Sequence, residues 1–263
     1  PTAYIKEFGS QSDFILALSH LMDEKKANTY EKEILQTKLP IVLDNGLFEN
    51  GTPESMETLL EKAVRIGATH VFAPDKLFDS VGTEKSLRKM IRFMEESEHE
   101  KLPGLAAVVQ ADNVEDYMSQ LLSFNANPSV SLIGLSILSI PKSFAEKIGK
   151  HDIVQSRVAL LREMCDLHQK KGIQWKNCHM LGLGDSYYDV LFAHLNCPWV
   201  VSNDTSSAFW NAVQGKRLLG GYCEVAGGKT KVHVDFNYKN LDKKGALLAQ
   251  ENINSVRDMF IKK

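Results

Sequence analysis

The sequence predicts an α/β protein, a single-domain (β/α)8 TIM-type barrel over residues 1–263, with a small irregular or antiparallel insertion near the C-terminus. Three observations predict it. About eight apolar runs recur along the 263 residues, helix signals alternate with them, and five of the runs end on a polar residue. Continuous apolar runs without period-2 alternation fit parallel strands covered on both faces. The chain length suits one barrel, which takes about 250 residues. No Gly-rich dinucleotide fingerprint follows the first run, which argues against an open doubly wound sheet.

Taken in order, the first strand is expected over residues 3–8. Pro40-Ile41-Val42-Leu43 then runs into Asp44, and His70-Val71-Phe72-Ala73-Pro74 into Asp75. Leu105-Ala106-Ala107-Val108-Val109 runs into Gln110, Ser131-Leu132-Ile133 into Gly134-Leu135-Ser136, and Trp199-Val200-Val201-Ser202-Asn203 into Asp204. Strands near 178–183 and 232–236 complete the set. Helices are expected over 53–67, 83–98, 114–124, 155–171, 186–195 and 206–213. Thr52-Pro53-Glu54 reads as an N-cap, a first-turn proline and a first-turn acid, while Gly67 and Gly172 stand where helices end. Leu60, Ala63, Val64 and Gly67 fall on one stripe of the first of these helices. The glycines and alternation across 218–238 suggest a hairpin.

Composition is that of an ordinary soluble globular chain, 43% hydrophobic and 24% charged. No apolar run reaches the ~20 residues that span a bilayer, and no basic-then-apolar leader opens the sequence, so a cytoplasmic location is expected, with no membrane partner. Four dispersed cysteines (Cys165, Cys178, Cys197, Cys223) suit a reduced compartment. The net charge of −2 does not advertise a nucleic-acid binder, but residues 214–263 carry ten Lys or Arg against five Asp or Glu, leaving −7 on the rest. That segment is either a footprint for phosphates or a solvated face.

Polar strand ends in a parallel α/β fold converge on one ligand site. Asp44, Asp75 and Asp204 would meet at the barrel mouth, where repulsion and burial divide carboxylates into different protonation states. Capping a helix is the alternative for each, strongest for Asp204 before Thr205-Ser206-Ser207. Gln110 offers a donor and an acceptor that match a heterocycle edge, or a turn bond. Gly134, followed by Leu135, admits close approach to backbone, and Gly182 and Gly184 open a loop that either cradles a ribose or phosphate or simply turns. No CxxC pair exists, so Cys165/His168 and Cys178/His179 are weak metal candidates. His70 and His179 read as satisfied core histidines.

The ordered set of motifs resembles the tRNA-guanine transglycosylase superfamily. Its first catalytic motif, Asp-Ser-Gly-Gly-Phe-Gln, resembles Asp44-Asn45-Gly46-Leu47-Phe48-Glu49. Its next acidic strand end resembles Asp75, its Val-Gln-Gly resembles Val109-Gln110-Ala111, and its Gly-Leu resembles Gly134-Leu135. Its Met-Gly-Val-Gly resembles Met180-Leu181-Gly182-Leu183-Gly184, and its late nucleophilic Asp falls on Asp204. The resemblance spans residues 40–210. Leu47 and Ala111 replace family glycines. The family's zinc cluster of three cysteines and a histidine has only Cys223 and His233 in its region, so no cofactor is expected, with zinc left open although its usual cysteine cluster is absent. The compact length looks most like the phage and bacterial branch that places 7-deazaguanines in DNA.

The resemblance implies a transferase that exchanges guanine in DNA, in preference to tRNA, for a base such as preQ0 or preQ1. Asp204 would be nucleophile and Asp44 general acid/base, while Asp75, Gln110, Gly134, Leu135, Gly182 and Gly184 would hold the base. Lys216, Arg217, Lys229 and Lys231 would meet the nucleic-acid backbone, a homodimer stays open, and a phage enzyme would act in host cytoplasm. Two other readings stand beside this one. The chain could be a tRNA-directed transglycosylase or its non-catalytic binding paralogue, or an unrelated barrel hydrolase or lyase acting on a small molecule.

Overall fold

A computed structural model describes residues 5–6, 9–22, 27–146, 152–183, 187–205, 207–213, 215–219, 222–223 and 243–261. Seven strands form one parallel sheet: β1 (Ile15–Leu18), β2 (Ile41–Asp44), β3 (His70–Phe72), β4 (Gly104–Val108), β5 (Val130–Ser136), β6 (Cys178–Leu181) and β7 (Val200–Asn203). Their order in the sheet is their order in the chain, each pairing with the next in parallel. A doubly wound sheet reverses direction at a switch point; this one never does.

The sheet curls. Neighbouring strands lie about 4.8 Å apart, so β1 and β6 of a flat sheet would be separated by roughly 24 Å. Instead the rings of Phe14, next to β1, and His179, on β6, meet edge to face with centroids 5.4 Å apart. Val42, Phe72, Ala106, Val108 and Leu132 fill the concave face with Phe14, Leu16 and Leu181. The larger core lies between the convex face and the helices, where Leu43, Val71, Ala107, Ile133 and Met180 pack. Among the described residues β7 does not pair with β1, so the curled sheet is open there. A two-stranded antiparallel pair, β8 (Leu218–Leu219) and β9 (Tyr222–Cys223), follows it. The remainder of the hairpin expected over 218–238, and the strand expected near 232–236, lie outside the described residues.

Helices alternate with strands: α1 (Ala27–Thr37), α2 (Leu47–Asn50), α3 (Met56–Arg65), α4 (Ser80–Glu95), α5 (Val114–Ala126), α6 (Ser143–Glu146), α7 (Ile153–Lys171), α8 (Tyr188–Asn196), α9 (Ser207–Val213) and α10 (Lys243–Ile261). Gly67 and Gly172 take left-handed φ of 63° and 68° where α3 and α7 stop. Two expectations need correction. Among the described residues the first strand is 15–18, and residues 5–6, inside the span expected as 3–8, are helical. Phe14-Ile15-Leu16-Ala17-Leu18 is wholly apolar, whereas Lys6-Glu7 interrupts the earlier run, and a strand covered on both faces takes the former. The cap of α3 is Ser55, whose Oγ accepts Thr58 N–H at 3.2 Å, not Thr52. Glu54 N–H is instead tied to Asn45 O at 3.0 Å, fastening the α3 entry to the end of β2.

The last helix packs Leu248, Ile253, Val256 and Met259 against Phe209, Ala212, Tyr187, Ala208 and Leu218. Gln250 meets Gln11 through paired amide bonds of 2.6 and 2.9 Å, so α10 reaches the segment that leads into β1.

Candidate active site

Two polar groups occupy the carboxyl ends of the strands. The first spans β2, β3 and β4. Asp44 closes β2, and its Oδ2 accepts Gly46 N–H at 2.9 Å. Gly46 makes that turn at φ 76°, and a Cβ there would lie 3.1 Å from Ser19 Oγ. Asn45 donates through Nδ2 to Ala73 O (2.8 Å) and Asp75 Oδ1 (2.7 Å), and its Oδ1 accepts Leu47 N–H. The other oxygen of Asp75 accepts Gln110 Nε2 at 2.5 Å. Gln110 Oε1 in turn accepts Phe78 N–H at 3.2 Å, and the Gln110 N–H is bound by Gln120. Asn45, Asp75 and Gln110 are all buried. One Nε2 hydrogen and one Oε1 lone pair of the Gln110 amide are thus engaged within the protein, and Gln110 braces Asp75.

Burial pushes the Asp44 carboxyl up to about 7, with Glu49, Asp75 and Asp204 adding repulsion against the Gly46 hydrogen bond. Burial likewise raises Asp75 to about 6, opposed by its bonds from Asn45 and Gln110. A carboxyl near 7 exists in both protonation states at neutral pH, as a group that must give and take a proton requires.

The second group spans β6 and β7. Asp204 follows β7, a quarter exposed, and its Oδ1 accepts Gly182 N–H at 3.0 Å and lies 3.1 Å from His179 Nε2. His179 points into the concave face, fully buried between Phe14 and Phe72, and its Nδ1 lies 2.8 Å from Ser202 Oγ. Behind this group Arg157 of α7, also fully buried, pairs with Asp189 at 2.6 Å. Its remaining donors meet Leu135 O (3.3 Å), Leu181 O (3.1 Å) and Gly182 O (2.8 Å), pinning the ends of β5 and β6 together.

Asp44, Asp75, Asp204 and Gly182 thus gather at one end of the sheet, with Gln110 one shell behind. Other expected site residues fall elsewhere. A Cβ on Gly134 would come within 2.9 Å of Leu181 and Phe72, so close packing, not an approaching ligand, occupies that face. The Leu135 side chain is buried and its carbonyl is turned to Arg157. Gly182 gives its N–H to Asp204, which corrects the expectation of a ribose or phosphate cradle. Arg217 is paired with Glu251 at 2.8 Å, and Lys216 is half-buried on the same loop. Gly184, Lys229 and Lys231 lie outside the described residues, as does His233. His168 Nδ1 meets Ile173 O, and Cys165 lies against Cys197, so neither faces a shared ligand. Among the described residues no group of three or more His, Cys, Asp and Glu gathers to hold a metal, and no helix is long and apolar enough to cross a membrane.

Three participants escaped the sequence reading. Asn45 stands inside the motif read through Asp44, where its neighbour drew the attention. His179 is flanked by Cys178 and Met180 in an apolar strand, and strand alternation alone places it on the inward side. Arg157 carried no signal beyond a charge within a buried helical stripe. No family model and no curated protein matches the chain.

Proposed function

We propose that this protein is a base-exchange transglycosylase that replaces guanine in a nucleic acid, DNA in preference to tRNA, with a 7-deazaguanine. The observation that carries the reading is the unequal treatment of two carboxylates at one sheet end. Asp44 is held near 7, while Asp204 stands partly open with two donors aimed at one oxygen. Double displacement at a sugar needs such a pair, a nucleophile and a proton carrier.

In this reading Asp204 attacks C1′ of the target nucleotide, the C1′–N9 bond breaks, and Asp44 protonates the departing guanine. The incoming base then loses its N9 proton to Asp44 and displaces Asp204, restoring both groups. Asp75 reads the base edge with the lone pairs that Asn45 and Gln110 leave unused. The target nucleotide must leave its stack to reach these groups. A complete (β/α)8 barrel, with residues beyond β7 closing it, belongs to the same proposal. Its support is the sequential strand order and the Phe14–His179 contact across the concave face. The preference for DNA rests on resemblance to the compact DNA-modifying branch.

The test is covalent trapping. Protein is incubated with guanine-containing DNA or tRNA and quenched in denaturant. An adduct that Asp204→Asn abolishes is expected, and an adduct persisting in that variant would overturn the assignment. Labelled-base incorporation into DNA, tRNA and free nucleoside, run in parallel, distinguishes the polymers from each other. Exchange confined to free nucleoside would replace the reading with a small-molecule enzyme.

A further inference from the structure

We infer that His179, set by Ser202, is a positioning residue that works with Gly182 to hold Asp204 Oδ1 and present Oδ2 for attack. The inference rests on the transglycosylase reading above. Three contacts carry it: His179 Nε2 to Oδ1 at 3.1 Å, Gly182 N–H to the same oxygen at 3.0 Å, and Ser202 Oγ to His179 Nδ1 at 2.8 Å.

His179 is wholly out of water, with Phe14 at 5.4 Å and Phe72 at 6.1 Å, so both ring nitrogens need partners inside the protein. The Ser202 hydroxyl can donate to Nδ1, which leaves the proton on Nε2, facing Asp204. With that proton Nε2 donates to Asp204 Oδ1. Both donors seen on the carboxylate among the described residues converge on Oδ1. The other oxygen, Oδ2, is then the one that bonds to C1′ as the C1′–N9 electron pair leaves with the base.

In the resulting ester Oδ1 becomes the carbonyl oxygen, still facing the same two donors. When the incoming N9 displaces the ester, the C1′–Oδ2 pair returns to the carboxylate and negative charge spreads back onto Oδ1. Donors already in place stabilise that returning charge without reorganising. The pair therefore serves both displacements, orienting the carboxylate in the first and accepting it as leaving group in the second.

The experiment measures single-turnover adduct formation, with polymer affinity and melting temperature recorded on the same variants. His179→Ala is expected to slow adduct formation roughly 10- to 100-fold, as loss of a preorganised donor does, with polymer affinity unchanged. His179→Gln, whose amide can place an N–H near the Nε2 position, is expected to recover much of the loss. Ser202→Ala, which frees the tautomer but keeps the ring, is expected to fall only a few-fold. If His179→Ala does not fold, His179→Gln and Ser202→Ala decide the matter. Folded variants that form adduct at the wild-type rate would overturn the inference. So would a Gln variant as slow as Ala, or a loss confined to polymer binding. A wild-type protein with no Asp204-dependent adduct defeats the transglycosylase reading itself, and the inference falls with it. That outcome is separate from variants matching a wild-type protein that does react.

Discussion

On the β2–β4 side of the site Asp75 sits beneath Asn45 and Gln110 and Asp44 is pushed up to about 7, whereas on the β6–β7 side Asp204 is a quarter exposed and, among the described residues, held at Oδ1. In the proposed reaction the same residue type would carry the proton in one place and attack the sugar in the other. Chemistry of side chain does not separate them, and neither does position at a strand end. Surroundings do: buried carboxyls close to one another in the first case, backbone and imidazole donors in the second.

The comparison breaks most sharply at the proposed nucleophile. Asp204→Asn should lower base exchange by roughly a thousandfold or more and remove the trapped adduct. Asp44→Asn should also lose exchange, by about 10²- to 10⁴-fold, but with an opposite effect on stability. The folded-state value for Asp44, about 7, lies above its ordinary 3.8, so the native protein holds a proton there that the unfolded chain has released. Stability from this group is full below pH ~3.8, declines as pH rises, and is lost above 7. The Asn variant should therefore flatten that slope and gain on the order of 2–4 kcal/mol at pH 8, read by denaturant titration across pH. In the wild type, adduct formation should fall as pH rises through about 7, where the leaving base loses its proton donor.

Smaller changes sharpen the contrast. Arg157→Met leaves the buried Asp189 without its ion-pair partner, and should cost about 3–5 kcal/mol in unfolding free energy. Replacing both partners with apolar residues of similar size should restore most of it. Gln110→Ala, which unties Asp75 on one side, should cost about 1–3 kcal/mol. It should also move the pH profile, whereas Arg157→Met should not. Gly46→Ala, forced to a φ of 76° with Ser19 Oγ in its way, should lose about 1–2 kcal/mol by thermal melting.

The polar strand ends were legible because a buried parallel strand is uninterrupted until it reaches solvent, and Asp44, Asp75, Gln110 and Asp204 mark where it does. Gly67 and Gly172 were legible because few other residues take a left-handed φ at a helix end. The first strand was not, since two apolar runs lie within 18 residues of each other and only packing chooses between them. Nor was α10. Asn252 sits in the middle of its buried stripe and breaks the apolar period, because the fold uses that amide to bind Leu218 N–H, Ala208 O and Lys216 O. His179 was hidden by a similar logic: a polar residue that completes its hydrogen bonds at long range looks, in one dimension, like an isolated exception. Residues whose partners are 20 to 40 positions away carry little local signal, and much of this site is built from them.

The Arg157 bonds have a consequence for how reactivity can be adjusted. Leu181 O and Gly182 N–H belong to one planar trans peptide, so they point in opposite directions. On the β5 side Arg157 and Ile137 N–H grip the oxygen, at 3.1 and 2.9 Å, and on the opposite side the hydrogen reaches Asp204. That plate turns as a single crank, with its handle on a helix and its working end at the carboxylate. A substitution on the α7 side that rotates it by a few degrees would shift the N–H offered to Asp204 while every residue facing the site stayed the same.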